Sequence, residues 1–176
     1  TMTLVQFDSQ DPYEVLHKFA PVTAVTELTR STFVPRASTP LLDAIGRGVN
    51  DLEQSLSQMP EAVRPSRVVM VVITDGQENA SREFRKDQIA KMIAEKQEKL
   101  DWQFVFLSAD LDAINDALAA GVRSAAVMAF DKNEQGTRSA WASTSSRILR
   151  ARANAAERVE FTEEDRAKQA AEKERE

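Results

Sequence analysis

The sequence has no cysteine and a single histidine among its 176 residues. The absence of cysteine excludes disulfides, thiolate metal sites and a cysteine nucleophile, and we interpret the isolated His17 as structural. No apolar run reaches the roughly 18 residues that suggest a transmembrane helix. The net charge of −5 disfavours nucleic-acid binding, because phosphate contacts require a basic surface. We therefore expect neither nucleic acid nor membrane among its partners.

Sequence signatures of the common enzyme classes are also missing. There is no glycine-rich phosphate loop and no Gly-x-Ser-x-Gly elbow, and Gly46-Arg47-Gly48 lies inside a predicted helix. No general base stands beside a recognisable acid or nucleophile. The patterns predict a non-enzymatic protein with no catalytic residues. Two alternatives stay open: a metal-dependent α/β enzyme using Asp75, and a nucleotide-binding Rossmann-like domain.

The stretch from Thr39 to Asn79 carries the strongest structural signals. Thr39 is placed as a helix N-cap and Pro40 as the first helical residue. Apolar residues then recur in steps of three and four at Ile45, Val49, Leu52, Leu56 and Met59, which predicts an amphipathic helix. Gly46 and Gly48 suggest that this helix packs closely against a sheet.

A buried strand follows this helix. Val68–Ile73 is continuously apolar, which predicts a strand covered on both faces near the centre of a parallel sheet. Asp75 follows the carboxyl end of this strand, where open α/β sheets bind their ligands. Glu78 and Asn79 come next and are interpreted as a solvated loop that could line the rim of such a site.

The remaining elements alternate between strands and helices. Thr1–Phe7 and Glu14–Phe19 are predicted as antiparallel strands, because too few residues separate them for a parallel crossover. The later predictions are a helix from Ser81 to about Leu100, a strand at Trp102–Leu107, a short helix at Ala113–Ala120 ended by Gly121, a strand at Ala125–Phe130, and a helix from Thr137 to about Ala155 with Trp141, Ile148 and Leu149 in the core.

This order predicts an α/β fold: a three-layer, doubly wound, mostly parallel sheet with one antiparallel edge strand. Residues 1–158 are expected to form one domain. Residues 159–176 have a different, charged composition and are expected to form a helical or disordered tail. Asp8 and Asp110 also follow predicted strands and are interpreted as turn or cap residues.

Two motifs together resemble the von Willebrand factor type A (vWA) family. They are Ser38-Thr39-Pro40-Leu41 before a helix and Val71-Val72-Ile73-Thr74-Asp75-Gly76 at the end of a strand. The resemblance implies a Rossmann-like fold and a protein-interaction function. It also implies a metal-ion-dependent adhesion site, in which Thr39 and Asp75 would be ligands of Mg²⁺ or Mn²⁺ and a carboxylate of a partner protein would complete the shell. The amino-acid sequences of the predicted strands, such as Leu4–Phe7 and Phe104–Leu107, are similar to those of bacterial and phage-borne intracellular members of the family. This similarity implies a cytoplasmic location.

The sequence departs from that family at its N-terminal end. The family's Asp-x-Ser-x-Ser loop is absent, and Asp8-Ser9-Gln10-Asp11 has the wrong spacing and follows the wrong strand. We therefore expect the first strand and helix to lie upstream of Thr1. In this chain alone the metal site should be incomplete and bind cations weakly or not at all. If no upstream first strand exists, the sheet should instead borrow a strand from another chain or from a second copy.

Overall fold

The computed structural model describes residues 1–33, 38–154 and 156–173, and it shows an α/β protein. Two separate sheets and five α-helices are present among these residues. The chain divides into two compact units. Unit one comprises Thr1–Pro60 and Glu78–Arg85, and unit two comprises Glu61–Gln77 and Lys86–Glu176.

Unit one begins with a two-stranded sheet. Strands β1 (Met2–Gln6) and β2 (Glu14–Ala20) pair in antiparallel fashion, which confirms the predicted pairing. In the turn between them, Asp8 Oδ1 accepts hydrogen bonds from the backbone N–H groups of Gln10 and Asp11. Asp8 is therefore a turn residue, as the sequence predicted.

Helix α1 (Leu41–Gln58) is the main helix of unit one. Its apolar stripe is buried at Leu41, Ile45, Val49 and Leu56. The predicted N-cap is wrong, because the cap is Pro40, whose carbonyl accepts the first helical hydrogen bond from Ala44. A side-chain cap from Thr39 is not needed, since the side chains of Glu78 and Ser81 accept the first-turn N–H groups instead.

Gly46 is required for close packing, but its neighbour is not a sheet. A Cβ atom at this position would lie 2.6 Å from ring atoms of Phe84, in the loop segment of unit one. The predicted contact of Gly46 with a sheet is therefore wrong. A phenyl ring fills the space that the missing side chain leaves on α1.

Unit two contains a parallel sheet of three strands in the order β3-β4-β5. The strands are β3 (Val69–Thr74), β4 (Gln103–Ser108) and β5 (Val127–Ala129). All six residues of β4 are buried, whereas Val69–Ile73 are only partly buried. The predicted central position of β3 is therefore wrong. Among the described residues β3 pairs only with β4, and β1 and β2 belong to the other sheet.

Four helices follow the strands of unit two: α2 (Lys86–Leu100), α3 (Leu111–Ala119), α4 (Glu134–Ala153) and α5 (Glu163–Lys173). The predicted start of α2 at Ser81 is wrong, because the Ser81 hydroxyl binds Glu78 and the backbone of Asp43. The end of α3 is as predicted, since Gly121 follows the C-cap with φ +89°. The predicted end of α4 near Ala155 lies outside the described residues.

Helix α4 packs on the sheet with small residues. Its buried positions are Gly136, Ala140, Ser143, Thr144 and Ala151. Trp141 and Leu149 are 46% and 65% exposed, so the prediction that they belong to the core is wrong. Small side chains let α4 approach its neighbours closely, and the bulky residues then face outward.

The segment after α4 contributes to the core of unit two. Val159 and Phe161 are buried in the same apolar cluster as Val105 and Leu107. Asp165 on α5 is buried as well and pairs with Arg147 of α4 at 2.6 Å. None of the described helices combines the length and apolar character that a membrane crossing requires.

Candidate functional site

Asp75 lies at the carboxyl edge of the parallel sheet, directly after the last residue of β3. Thr74 shapes this turn, because its hydroxyl donates to the carbonyl of Gly76 and accepts from the N–H of the same residue. The Asp75 carboxylate is 64% exposed and pairs with Lys132 Nζ at 2.9 Å. An ion pair to Lys132 therefore holds the predicted metal ligand in an open position.

Asp110 follows β4 at the same edge. Its Oδ1 atom accepts the N–H groups of Asp112 and Ala113, which makes it the predicted N-cap of α3. The Nε2 group of Gln77 donates to Asp110 Oδ2 at 3.2 Å and to Asp112 Oδ2 at 3.1 Å. The hydrogen bond from Ala113, with those from Gln77 and Asp112 and the charge of Lys132, lowers the pKa of Asp110 and keeps it ionised.

Asp131 follows β5, and sequence reasoning missed it. Its Oδ2 atom is out of contact with solvent and makes no hydrogen bond within the described part of the chain. Each of the three adjacent parallel strands is thus followed by an aspartate, namely Asp75, Asp110 and Asp131. Lys132 was missed too, although its position one residue after Asp131 was a readable signal. The resulting rim is acidic and attracts cationic groups.

The donor set at this edge does not by itself fit Mg²⁺. The ion prefers near-octahedral oxygen coordination at short distances. Within residues 1–33, 38–154 and 156–173, no group of three or more histidine, cysteine, aspartate or glutamate side chains is arranged to hold a metal. Both carboxylate oxygens of Asp110 already accept hydrogen bonds. Asp75 and its exposed carboxylate remain the group best placed to meet a cation.

Thr39, the second predicted ligand, belongs to unit one, whereas Asp75 belongs to unit two. The backbone of Thr39 is fixed by Asn79, whose Oδ1 accepts the Thr39 N–H at 2.8 Å and whose N–H donates to the Thr39 carbonyl at 3.2 Å. The Thr39 hydroxyl makes no hydrogen bond among the described residues. It is therefore held in place by its backbone while its oxygen stays available.

Side chains of the loop after β3 cap the N-terminus of α1. Glu78 Oε2 accepts the N–H of Leu42 at 2.9 Å, and Ser81 Oγ accepts the N–H of Asp43 at 3.1 Å. Ser81 also donates to Glu78 at 2.7 Å. Glu78 and Asn79 lie in a loop, as predicted, and Asn79 is exposed. Their side chains also accept backbone N–H groups, Glu78 at the first turn of α1 and Asn79 at Thr39 just before it.

Asp43 of α1 makes the reciprocal hydrogen bonds to the loop. Its carboxylate accepts the N–H groups of Arg82, Glu83 and Phe84 at 2.8–2.9 Å, and the residue is only 3% exposed. Burial by itself raises the pKa of Asp43, but the three backbone donors and the charge of Arg47 outweigh it and lower the pKa. Side chains of the segment Glu78–Phe84 thus accept amides of α1, and a side chain of α1 accepts amides of that segment.

Comparison of the chain with protein-family models, with curated proteins and with solved structures finds no match.

Proposed function

We propose that this chain is a non-enzymatic protein-interaction module of the vWA type. Its partner site is the acidic rim at the carboxyl edge of the parallel sheet. The observation that carries the proposal is the exposed Asp75 carboxylate, held by Lys132 on a rim that also contains Asp110 and Asp131. Open α/β sheets bind their ligands at this edge. A cytoplasmic location belongs to the same proposal.

The finer fold assignment is part of this proposal: a three-layer, doubly wound, Rossmann-like sheet. It is supported by the parallel strands and by the complete burial of β4, which requires cover on both faces. Helix α4 packs on the face that carries Val105 and Leu107. Helices α2 and α3 also contact β4, and their buried residues belong to other parts of the core.

In this function Asp75 supplies negative charge at the partner site. The role of Thr39 as a second ligand stays a prediction of the resemblance, because Thr39 belongs to the other unit. A bound Mg²⁺ would supply a positive bridge to a carboxylate of the partner. Because the described residues do not complete the coordination shell, further oxygen ligands have to come from outside them. The partner is the source that we propose.

Strand sharing is a second element of the proposal. β3 carries Val69, Val71 and Ile73, which pack only partly against the core of unit two. Its second edge has no strand partner among the described residues. An apolar strand with a free edge accepts a further strand from another chain or from a second copy.

The rim supports binding better than catalysis. No serine, cysteine or histidine side chain in the described residues hydrogen-bonds to the carboxylates of Asp75, Asp110 or Asp131. An enzyme that uses Asp75 as a general base needs such a nucleophile or an acid partner within reach. Among the described residues, the charged group paired with Asp75 is the exposed ammonium of Lys132.

The test is cation-dependent capture of protein partners by the full-length gene product. Immobilised protein is incubated with native lysate in Mg²⁺ and, separately, in EDTA, and the bound proteins are identified by mass spectrometry. We expect partners that are retained in Mg²⁺ and lost both in EDTA and with Asp75→Ala.

The matched control is Glu98→Ala, an exposed acidic residue on α2. This variant should retain every partner that the wild-type protein binds. Circular dichroism of Asp75→Ala should equal that of the wild type. A set of partners that does not respond to EDTA or to Asp75→Ala would contradict the proposed site.

A further inference from the structure

Helix α4 presents a stripe whose composition is the reverse of an ordinary amphipathic helix. Arg138, Trp141, Ser145, Leu149 and Arg152 are all exposed, whereas the buried face is made of small residues. At 100° per residue, these five positions fall within an arc of about 80° on the side opposite the buried face. Trp141 and Leu149 therefore lie together on one outward-facing stripe, whereas Ile148 packs against the core.

The spacing of the stripe matches the contact seam of a helix pair. Its members lie 0, 3, 7, 11 and 14 positions apart, counted from Arg138. Residues at such intervals of three and four meet a second helix laid along the first. Ser145 stands between Trp141 and Leu149, so a small residue separates two large ones. A side chain of a facing helix would pack over the small residue between the two large ones.

Both ends of the stripe are positively charged. Arg152 forms no ion pair within the described part of the chain. Arg138 pairs with Glu134 one turn away, but both side chains are more than two-thirds exposed, so the pair contributes little. The two arginines are 14 residues apart, which corresponds to about 21 Å along the helix axis. The chain as a whole is acidic, with a net charge of −5, so this stripe is a local reversal of sign.

We propose that the stripe on α4 is a docking surface for an acidic amphipathic helix of a partner protein. Apolar residues of that helix would cover Trp141 and Leu149, and one of its side chains would pack over Ser145. Carboxylates near its two ends would pair with Arg138 and Arg152. Charge complementarity favours an acidic partner over a second copy of this helix, because two copies side by side would oppose arginine to arginine in parallel and in antiparallel orientation.

The test uses the full chain and two fluorescein-labelled helical peptides of about 20 residues, long enough to span both arginines. They share one apolar face of leucine and alanine. One carries glutamate opposite Arg138 and Arg152, and the other carries lysine at the same positions. Fluorescence anisotropy gives the affinity of each peptide for the wild type and for the variants.

We expect the acidic peptide to bind the wild type more tightly than the basic peptide. Trp141→Ala and Leu149→Ala should each weaken that binding by roughly tenfold or more, as for buried anchors of an interface. The double charge reversal Arg138→Glu with Arg152→Glu should invert the preference between the two peptides. The matched control is Leu111→Ala on α3, which removes a leucine that is 70% exposed and should change neither affinity.

Unchanged circular dichroism shows that each variant is folded, and the exposure of the substituted side chains makes folding the expected outcome. The proposal is overturned if neither peptide binds, if the basic peptide binds better, or if Leu111→Ala has the same effect as Trp141→Ala. It is also overturned if Trp141→Ala abolishes a dimer seen by light scattering. The proposal is overturned as well if the wild-type protein sediments with phosphatidylserine vesicles and the Trp141→Ala variant does not.

Discussion

The ammonium group of Lys132 lies 2.9 Å from the Oδ2 atom of Asp75, and the two side chains are 67% and 64% exposed. Lys132 follows β5 and Asp75 follows β3, so the pair crosses the carboxyl edge of the sheet over the end of β4. Exposed pairs of this kind contribute at most about 1 kcal/mol. A metal cation bound to Asp75, as we propose, would therefore have to displace only a weakly held ammonium group.

The first prediction concerns cation binding at Asp75. Lys132→Ala should raise the affinity for Mn²⁺ by roughly two- to fivefold, the range that corresponds to an exposed ion pair. Paramagnetic broadening of the Gly76 and Gln77 amide signals measures weak binding directly. Lys91→Ala, an exposed lysine on α2, is the control and should leave the titration unchanged. Equal broadening in the wild type and in Asp75→Ala would contradict the assignment.

The second prediction concerns the hydrogen bonds between Asp43 and the loop at residues 82–84. Asp43→Ala removes the acceptor for three backbone N–H groups and should lower the free energy of unfolding by about 3 kcal/mol. The amides of Arg82, Glu83 and Phe84 should lose their protection against hydrogen exchange. Glu83→Ala breaks the exposed pair with Arg47 and should cost less than about 1 kcal/mol. Similar losses for both variants would show that the buried acceptor has no special role.

The third prediction concerns the close approach of Gly46 to Phe84. Alanine has the higher helix propensity by about 1 kcal/mol, yet its Cβ would lie 2.6 Å from the ring. Gly46→Ala should therefore destabilise the protein by about 1–3 kcal/mol, as overpacking does. In the background of Phe84→Ala the same substitution should be neutral or stabilising. Denaturant unfolding of the four proteins measures this coupling, and strict additivity would contradict the contact.

The fourth prediction concerns the pH dependence that Asp165 brings to stability. Burial by itself raises the pKa of Asp165, but hydrogen bonds from Arg147 and Thr162 outweigh it and lower the pKa to about 2. Because the folded pKa lies below the unfolded value of 3.8, the stabilisation is complete above about pH 5 and is lost as the pH falls to about 2. The amount lost is on the order of 2 kcal/mol.

Asp165→Asn provides the measurement for this fourth prediction. At pH 7 the variant should be less stable than the wild type by on the order of 2 kcal/mol, and the difference should shrink toward pH 2. Glu164→Gln, at an exposed neighbour that pairs with Lys168, should follow the wild-type curve. A constant difference between Asp165→Asn and the wild type at all pH values would refute the assignment.

The sequence by itself determined the features that depend on near neighbours along the chain. The alternation of strands and helices, the antiparallel pair β1–β2, the cap of α3 at Asp110 and the end of α3 at Gly121 were all readable. Each of them follows from hydrophobic period, loop length or the backbone preference of a single residue. The aspartate after β3 was readable for the same reason, because it directly follows an apolar strand.

Only the tertiary structure decided the features that join distant residues. The amides of α1 are capped by Glu78 and Ser81, and Asp75 is paired by Lys132, across separations that no local pattern encodes.

The orientation of α4 was decided in the same way. Periodicity identifies a helix and its possible faces, but the choice between them depends on how closely the neighbours approach. Close packing selected the small residues around Ala140 for the interior and left Trp141 outside, although Trp141 is the more apolar.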